Sequence, residues 1–399
     1  MPLPTTFSAA PPARPHVPLA PVLSRASFGR ARASLPSVLD AGRSLLVTSG
    51  RAALALALRE LRIGPGDTVL LPAYHSLSMV PPVVWLGATP VFYRVGADAA
   101  VDLDDAAAKL GTRCRALVVT HYFGFAQDMA TLRSWCDARG IALLEDCAHC
   151  FYGRQDGRPV GSFGDYAIAS SMKFFPAYDG GALVSSRHRL PERLRPAGFG
   201  FELKALLNTL ELGFAYGRMP LLRLLLRAPL AAKDQLWRML KRARRAGPPP
   251  SLAPESSDSG AGFDPAWVDR RASWIARRLL GRASGERIVA RRRAHYLALE
   301  RTLGALPGCR PLYARLPDDT CPWLFPLLVD EPEPAFARLC AWGVPVTRFA
   351  SALWQGVDAD TCANSVMLSR HVLAFPVHQE LREDELAWLC ERAREALAP

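Results

Sequence analysis

The chain has 399 residues, half of them hydrophobic and 22% charged, which fits a globular protein of roughly two domains with a substantial core. A formal net charge of +12 invites a nucleic-acid reading. The arginines, however, are spread through helical segments without zinc-finger spacing or an aromatic RNA-binding signature, so anionic small substrates or an acidic membrane surface are the expected partners.

Residues 1–27 are proline-rich and lack the basic start and apolar core of a signal peptide; they read as an extended, disordered arm. No stretch offers the roughly 20 uncharged apolar residues of a membrane span. The nine cysteines are scattered, and only Cys147 and Cys150 form a C-x-x-C, with no second pair to complete a zinc site. No metal is expected, and the pair reads as buried packing in a reducing, cytoplasmic compartment.

Residues 35–43 read as a short lead-in helix, followed by a strand over 45–48 that ends at Ser49-Gly50-Arg51. The next run, AALALALREL at 52–61, has excellent helix propensity. A strand, a small-residue turn and a helix leave free N–H groups at the helix start, a natural phosphate seat at Gly50, Arg51 and Ala52. The bland alternative is a plain strand-to-helix turn.

Strands are predicted over 68–71, 89–94 and 115–120, with helices over 80–86 and 129–139, the latter closed by Gly140. This alternation predicts a mainly parallel sheet, giving a large domain over 28–200. After residue 186 the rhythm changes. Residues 201–262 form a Leu/Arg-rich helical insertion and linker whose basic amphipathic stretch, 203–245, admits two readings. It packs on its own subunit or a dimer mate, or it makes peripheral contact with an anionic membrane. Residues 263–399 read as a connecting helix or helix pair and a small α/β carboxyl-terminal domain, with strands over 323–329 and 372–376 and helices over 335–342 and 383–397.

The stretch from 143 to 186 carries the chemistry. An apolar strand delivers Asp146 at its end, and a second, over 166–169, delivers Ser170 and Lys173. In a parallel sheet both arrive at the carboxyl rim, where ligands are held. One acid and one amine suit pyridoxal 5'-phosphate (PLP), which needs a lysine to bind its aldehyde carbon and a carboxylate to keep its pyridine nitrogen protonated. Lysine is scarce here: only five of the 49 basic residues are lysines, yet one stands in this apolar, glycine-rich setting. Taken singly, Asp146 also reads as a helix cap, His149 as a core histidine and Lys173 as a surface lysine.

Together SGRAAL at 49–54, GDTVLLPAYHS at 66–76, EDCAHC at 145–150, GSFGDYAIAS at 161–170 and the lysine-to-GG spacing at 173–181 resemble the DegT/DnrJ/EryC1/StrS family of PLP-dependent, mostly sugar, aminotransferases. The likeness is clear over roughly residues 40–190 and looser in GVPVTRFASALW and SRHVLAFPVHQEL. It implies an aspartate-aminotransferase-like α/β fold (PLP fold type I), with a seven-stranded-type sheet in the large domain. It implies Asp146 at the pyridine nitrogen, His149 beside the ring and its phenolic oxygen, Lys173 as the covalent anchor and proton carrier, and Ser170 with Gly50, Arg51 and Ala52 at the phosphate. Ser76 stands where the family carries a ring-stacking aromatic, leaving Tyr74 or His75 to take that part. Arg348 is a candidate for holding a substrate diphosphate. The implied activity is amino transfer, with glutamate as donor, to the keto group of a nucleotide-linked sugar, by a homodimer. Sugar dehydratases of the family have histidine in place of the lysine, so Lys173 argues against that activity. The competing class is a non-catalytic PLP-binding or membrane-associated scaffold.

Overall fold

The computed structural model describes residues 16–29, 34–191, 193–228, 231, 235 and 262–398. Seven strands build the main sheet: β1 (Arg43–Val47), β2 (Thr68–Pro72), β3 (Thr89–Tyr93), β4 (Cys114–Thr120), β5 (Ala142–Asp146), β8 (Tyr166–Ala169) and β9 (Gly181–Ser185), in the order β1-β9-β8-β5-β4-β2-β3. Between β5 and β8 lies a small hairpin, β6 (Arg154–Gln155) and β7 (Arg158–Pro159). The pairs β2–β3, β2–β4, β4–β5 and β5–β8 are parallel, while β8–β9 and β9–β1 are antiparallel. The mainly parallel sheet is therefore present, with an antiparallel edge.

Both faces are buried, and the period-2 side-chain pattern assigns them. In β4, Leu117 and Val119 join one core cluster while Ala116 and Val118 join the other. Helix α1 (Gly50–Glu60) fills the second face, with every residue from Arg51 to Leu58 buried. Small alanines between leucines let it lie flat on the sheet beside α2 (Val80–Trp85). Two further helices, α3 (Leu103–Ala108) and α4 (Met129–Asp137), complete this half. The first is an element that the sequence reading missed.

Past the sheet come α5 (Phe199–Ala215), α6 (Pro220–Leu225), α7 (Trp274–Arg282) and α8 (Gly285–Leu303). A three-stranded antiparallel sheet, β10 (Cys309–Pro311), β11 (Leu324–Val329) and β12 (Val372–Pro376), packs with α8, α9 (Pro332–Ala341), α10 (Ala359–His371) and α11 (Glu383–Leu397). That is the small carboxyl-terminal α/β layer expected, although α10 and β10 were not. Among the described residues no helix is long and apolar enough to cross a membrane.

Two expectations need correction. Residues 35–43 do not form an α-helix: a 3-10 turn at Val38–Ala41 leads directly into β1 at Arg43, which pairs with Ser185. Residues 16–27, assigned to a disordered arm, are held in place. Val17, Val22 and Leu23 are buried, His378 Nε2 bonds the Pro18 carbonyl at 2.9 Å, and Ser24 and Ser27 donate to Glu380. Residues 1–15, and the 236–261 part of the expected insertion and linker, lie outside the described residues.

Register positions the strand ends. Thr120 pairs with Asp146 across β4–β5, and Asp146 with Ile168 across β5–β8, so three carboxyl ends align. Beside Asp146, Glu145 points the other way and is fully buried. Its carboxylate accepts from the N–H groups of Gly161 (2.9 Å), Phe163 (2.6 Å) and Gly164 (2.5 Å), and from His121 Nε2 (3.2 Å). Further round, buried Asp179 accepts from Ser273 N and Oγ at 2.8 and 2.5 Å, which ties the cap of α7 to the turn before β9.

Two predictions follow from these carboxylates. Glu145→Ala strands three backbone donors and His121 in a dry interior, and is expected to cost roughly 3–5 kcal/mol in urea unfolding. Burial raises the Asp179 carboxyl from its ordinary 3.8 to about 6 against the pull of its Ser273 bonds. The native state therefore keeps a proton that the unfolded chain has released between those values. Stability must fall as pH rises through that window, by up to about 3 kcal/mol from this group. Asp179→Asn should remove that slope from urea titrations taken at pH 4 to 7.

Candidate active site

A cleft with about 620 Å³ of empty space, counting its open mouth, lies at the aligned strand ends. Asp146 and Lys173 both line it, as do His149, Ser170, Gly50 and Arg51. Six of the nine residues expected at the site are thus brought together from α1, β5 and the segment after β8. Short links explain this: Asp146 ends its strand, His149 follows within one turn, and Lys173 closes a 3-10 turn directly after β8.

The start of α1 forms one wall. Ser49 caps the helix, its Oγ accepting from Ala52 N at 3.2 Å. That bond employs the Ala52 N–H within the chain, and Ala52 does not line the cleft. Gly50 and Arg51 stand in the first turn, where backbone N–H groups point out of the helix and a helix start receives an anion. Close approach of β9 to this turn depends on Gly181, where a Cβ would sit 2.5 Å from the Ser49 carbonyl oxygen.

Tyr74 and His75 do not reach the cleft. Tyr74 is wholly buried, packed on Tyr122 and edge-on to Phe349. His75 stacks on Phe92, with Nδ1 on the Ala73 carbonyl and Nε2 accepting from Trp354 N. Burial lowers its pKa to about 4, so it is a neutral packing histidine. The strand ends at Pro72, and the chain turns so that Ser76 and Ser78 face the cleft instead.

His149 has a different environment. Its ring lies 3.8 Å from that of Trp323 in a stacked arrangement, and edge-on to Phe349 at 4.7 Å. Burial, and then the nearby Lys173 charge, hold its pKa well below the ordinary value, so the imidazole is neutral. Its Nδ1 has no hydrogen-bond partner among the described residues, and neither has Thr120 Oγ1, on the same cleft. Buried polar atoms without partners are uncommon, and a pair facing one cavity is what a polar ligand would satisfy. Asp146 accepts from Ala148 N at 2.9 Å through one oxygen, the local turn that its cap-like reading anticipated.

Lys173 places Nζ 4.3 Å from the centre of the Trp323 ring. Its carbonyl accepts from Arg292 Nη2 at 2.9 Å, and Gln379 Nε2 holds the next carbonyl, that of Phe174, at 2.7 Å. Lys173 also lines a second, wider cavity with Met172, Trp323 and Arg348. Arg348 is thus near the amine, but its guanidinium already bonds Glu333 at 3.0 Å and the Pro332 carbonyl at 3.1 Å. Its candidacy as a diphosphate holder is weakened by that pairing.

Thr120, Trp323 and Phe349 escaped the sequence reading. Thr120 could have been found as the polar residue ending a strand next to Asp146; the two aromatics arrive from the carboxyl-terminal layer, too far along the chain to be paired with the site by eye. Cys147 and Cys150 are buried, and burial raises both thiols, so they behave as packing residues. Among the described residues, His121, Glu145 and Cys147 come close enough together to hold a metal ion. The Glu145 carboxylate is, however, taken by four donors, and His121 Nδ1 accepts from Gln127 N at 3.2 Å.

Known proteins resemble this chain in sequence and in fold. A UDP-N-acetyl-3-dehydro-alpha-D-glucosamine 3-aminotransferase of Acidithiobacillus ferrooxidans is 34% identical over 195 residues, covering 44% of this chain and 50% of its own. GDP-perosamine synthase of Vibrio cholerae is 35% identical over 143 residues, 35% of this chain and 39% of its own. The chain thus spans about half, or less, of the curated relatives it matches. Among solved structures, Spr1654 from Streptococcus pneumoniae, determined in PLP, PMP and apo forms, matches 96% of this chain with a TM-score of 0.63 in its PLP form. At 16% identity, and with 98% of its own chain covered, that likeness shows the shared fold. The family described as DegT/DnrJ/EryC1/StrS aminotransferases matches residues 33–212, the span that holds the sheet, the start of α1, Asp146, His149 and Lys173. Over that span the chain is similar to the DegT/DnrJ/EryC1/StrS aminotransferase family.

Proposed function

We propose that this protein is a PLP-dependent aminotransferase that moves an amino group from an amino acid, glutamate by family analogy, to the keto group of a nucleotide-linked sugar. One observation carries the reading: an acid and an amine from different strands line a single cleft whose buried His149 Nδ1 and Thr120 Oγ1 have no partner among the described residues. Relatives named for UDP- and GDP-linked sugars support the substrate class. A homodimer in the cytoplasm fits the family pattern.

The residues present fit PLP. Asp146 would face its pyridine nitrogen, His149 and Thr120 its ring substituents, and Gly50, Arg51 and Ser170 its phosphate. When bound, the cofactor supplies an electrophilic carbon and an electron-withdrawing ring. The chain's own work is then to place charge and move protons. Asp146, a carboxyl group 8% exposed at a strand end, would favour a proton on the ring nitrogen facing it. Neutral His149, fixed between Trp323 and Phe349, orients a hydrogen bond without adding a second cation beside Lys173. Lys173 would hold the cofactor's aldehyde carbon, and its Nζ is the group that would carry a proton between carbon atoms.

The test is direct. Protein purified with PLP should be yellow, with a visible band that shifts on adding glutamate. Borohydride reduction followed by peptide mapping should place the label on Lys173. Lys173→Ala is expected to fold, to lose the reducible label and to lower amino transfer to keto-sugar nucleotides by at least about a hundredfold. A colourless wild-type protein, or a label retained in that variant, would refute the assignment.

A further inference from the structure

Residues 24–26, the α5–α6 turn, α8 and residues 380–383 enclose an open groove. Five arginines line it: Arg25, Arg218, Arg287, Arg291 and Arg382. Two have carboxylate partners. Arg287 bonds Glu380 at 2.7 Å, and Arg218 bonds Glu385 at 2.6 Å. Arg25, Arg291 and Arg382 have none among the described residues. Arg218 is 4% exposed, and among the described residues its Nη1 lacks a hydrogen-bond partner, as does the buried Nε of Arg291. Cationic groups held dry and incompletely satisfied beside a groove are positioned for an external oxyanion.

Leu221 lines the same groove and is 61% exposed. With Leu224 and Leu225, 65% and 77% exposed, it falls at i, i+3 and i+4 of α6, a single helix face turned to solvent. Arg223, on the opposite side of α6, and Arg227, just past its end, are also exposed. Three leucines on one face, backed by an arginine and bordering an arginine groove, reproduce the division of labour of an interfacial element: cations meet phosphate oxygens while apolar side chains enter the acyl boundary. A second copy of the chain is a poor occupant, because a two-fold contact through this face would set one arginine groove against another.

We infer that this face docks the protein on an anionic phospholipid surface, with headgroup phosphates in the Arg218–Arg287–Arg291 groove and Leu221, Leu224 and Leu225 inserted beside it. The inference is independent of the amino-transfer reading, since the groove and the Lys173 cleft have separate linings.

The full chain should be sedimented with phosphatidylcholine vesicles with and without phosphatidylglycerol, at low and physiological salt. Binding should require phosphatidylglycerol and weaken as salt rises. Leu221→Ser/Leu224→Ser/Leu225→Ser should bind about tenfold or more weakly, and Arg25→Glu/Arg223→Glu likewise, with circular dichroism and urea midpoints unchanged. Equal binding to neutral vesicles, no binding to anionic ones, or a leucine variant that binds like wild type would overturn the proposal. So would a leucine variant that turns a dimer into a monomer in analytical ultracentrifugation while the wild type ignores vesicles; the face would then be a subunit contact.

Discussion

A single guanidinium holds the lysine side of the cleft together. Arg292 of α8 is completely buried, yet it donates to the carbonyls of Lys173, Pro322 and Trp323 and to the side chain of Gln379, while its plane lies over Phe174. Burial lowers its pKa to about 10, which still leaves it charged at neutral pH. A charge in that position is costly unless carbonyl dipoles surround it, and four acceptors do so here. Because the acceptors come from the main-sheet loop and from the carboxyl-terminal layer, the ion fixes Lys173 relative to Trp323. It thereby also fixes the surface on which His149 stacks.

On the acidic side the same logic runs through Glu145. Two carboxylates stand next to each other at the end of β5 and face opposite ways, as the strand period requires. One is consumed by four internal donors and shapes the loop at 161–164. The other faces the cleft. Alternation along five residues thus separates a structural acid from a functional candidate without any specialised motif.

Much of this was legible in the sequence because the sheet is covered on both faces. Continuous apolar runs such as ALVVT and ALL mark strands of that kind, and their polar last residues mark the rim. The strand over 372–376 and the helix over 383–397 coincide with β12 and α11. Other features were hidden for physical reasons. The helix at Leu103–Ala108 is a six-residue turn capped by Asp102, too short for a hydrophobic period to show. Tyr74 and His75 looked eligible by position, but the chain reverses after Pro72 and buries both. Pro18 in the amino-terminal segment suggested disorder by composition, yet a buried histidine far along the chain holds its carbonyl. Phe349 reaches the cleft, and Trp323 and Arg292 reach His149 and Lys173, only through tertiary packing, which no local pattern encodes.

The pinning of the Lys173 and Phe174 carbonyls has a mechanical consequence. With the main chain clamped at two successive peptides, travel of the amine is confined to its own four-carbon stem. The side chain becomes a short crank on a fixed axle, whose rotamer freedom is worth about 2 kcal/mol. Such an arm can swing off the indole and return to the same place, turn after turn, while the sheet behind it stays still.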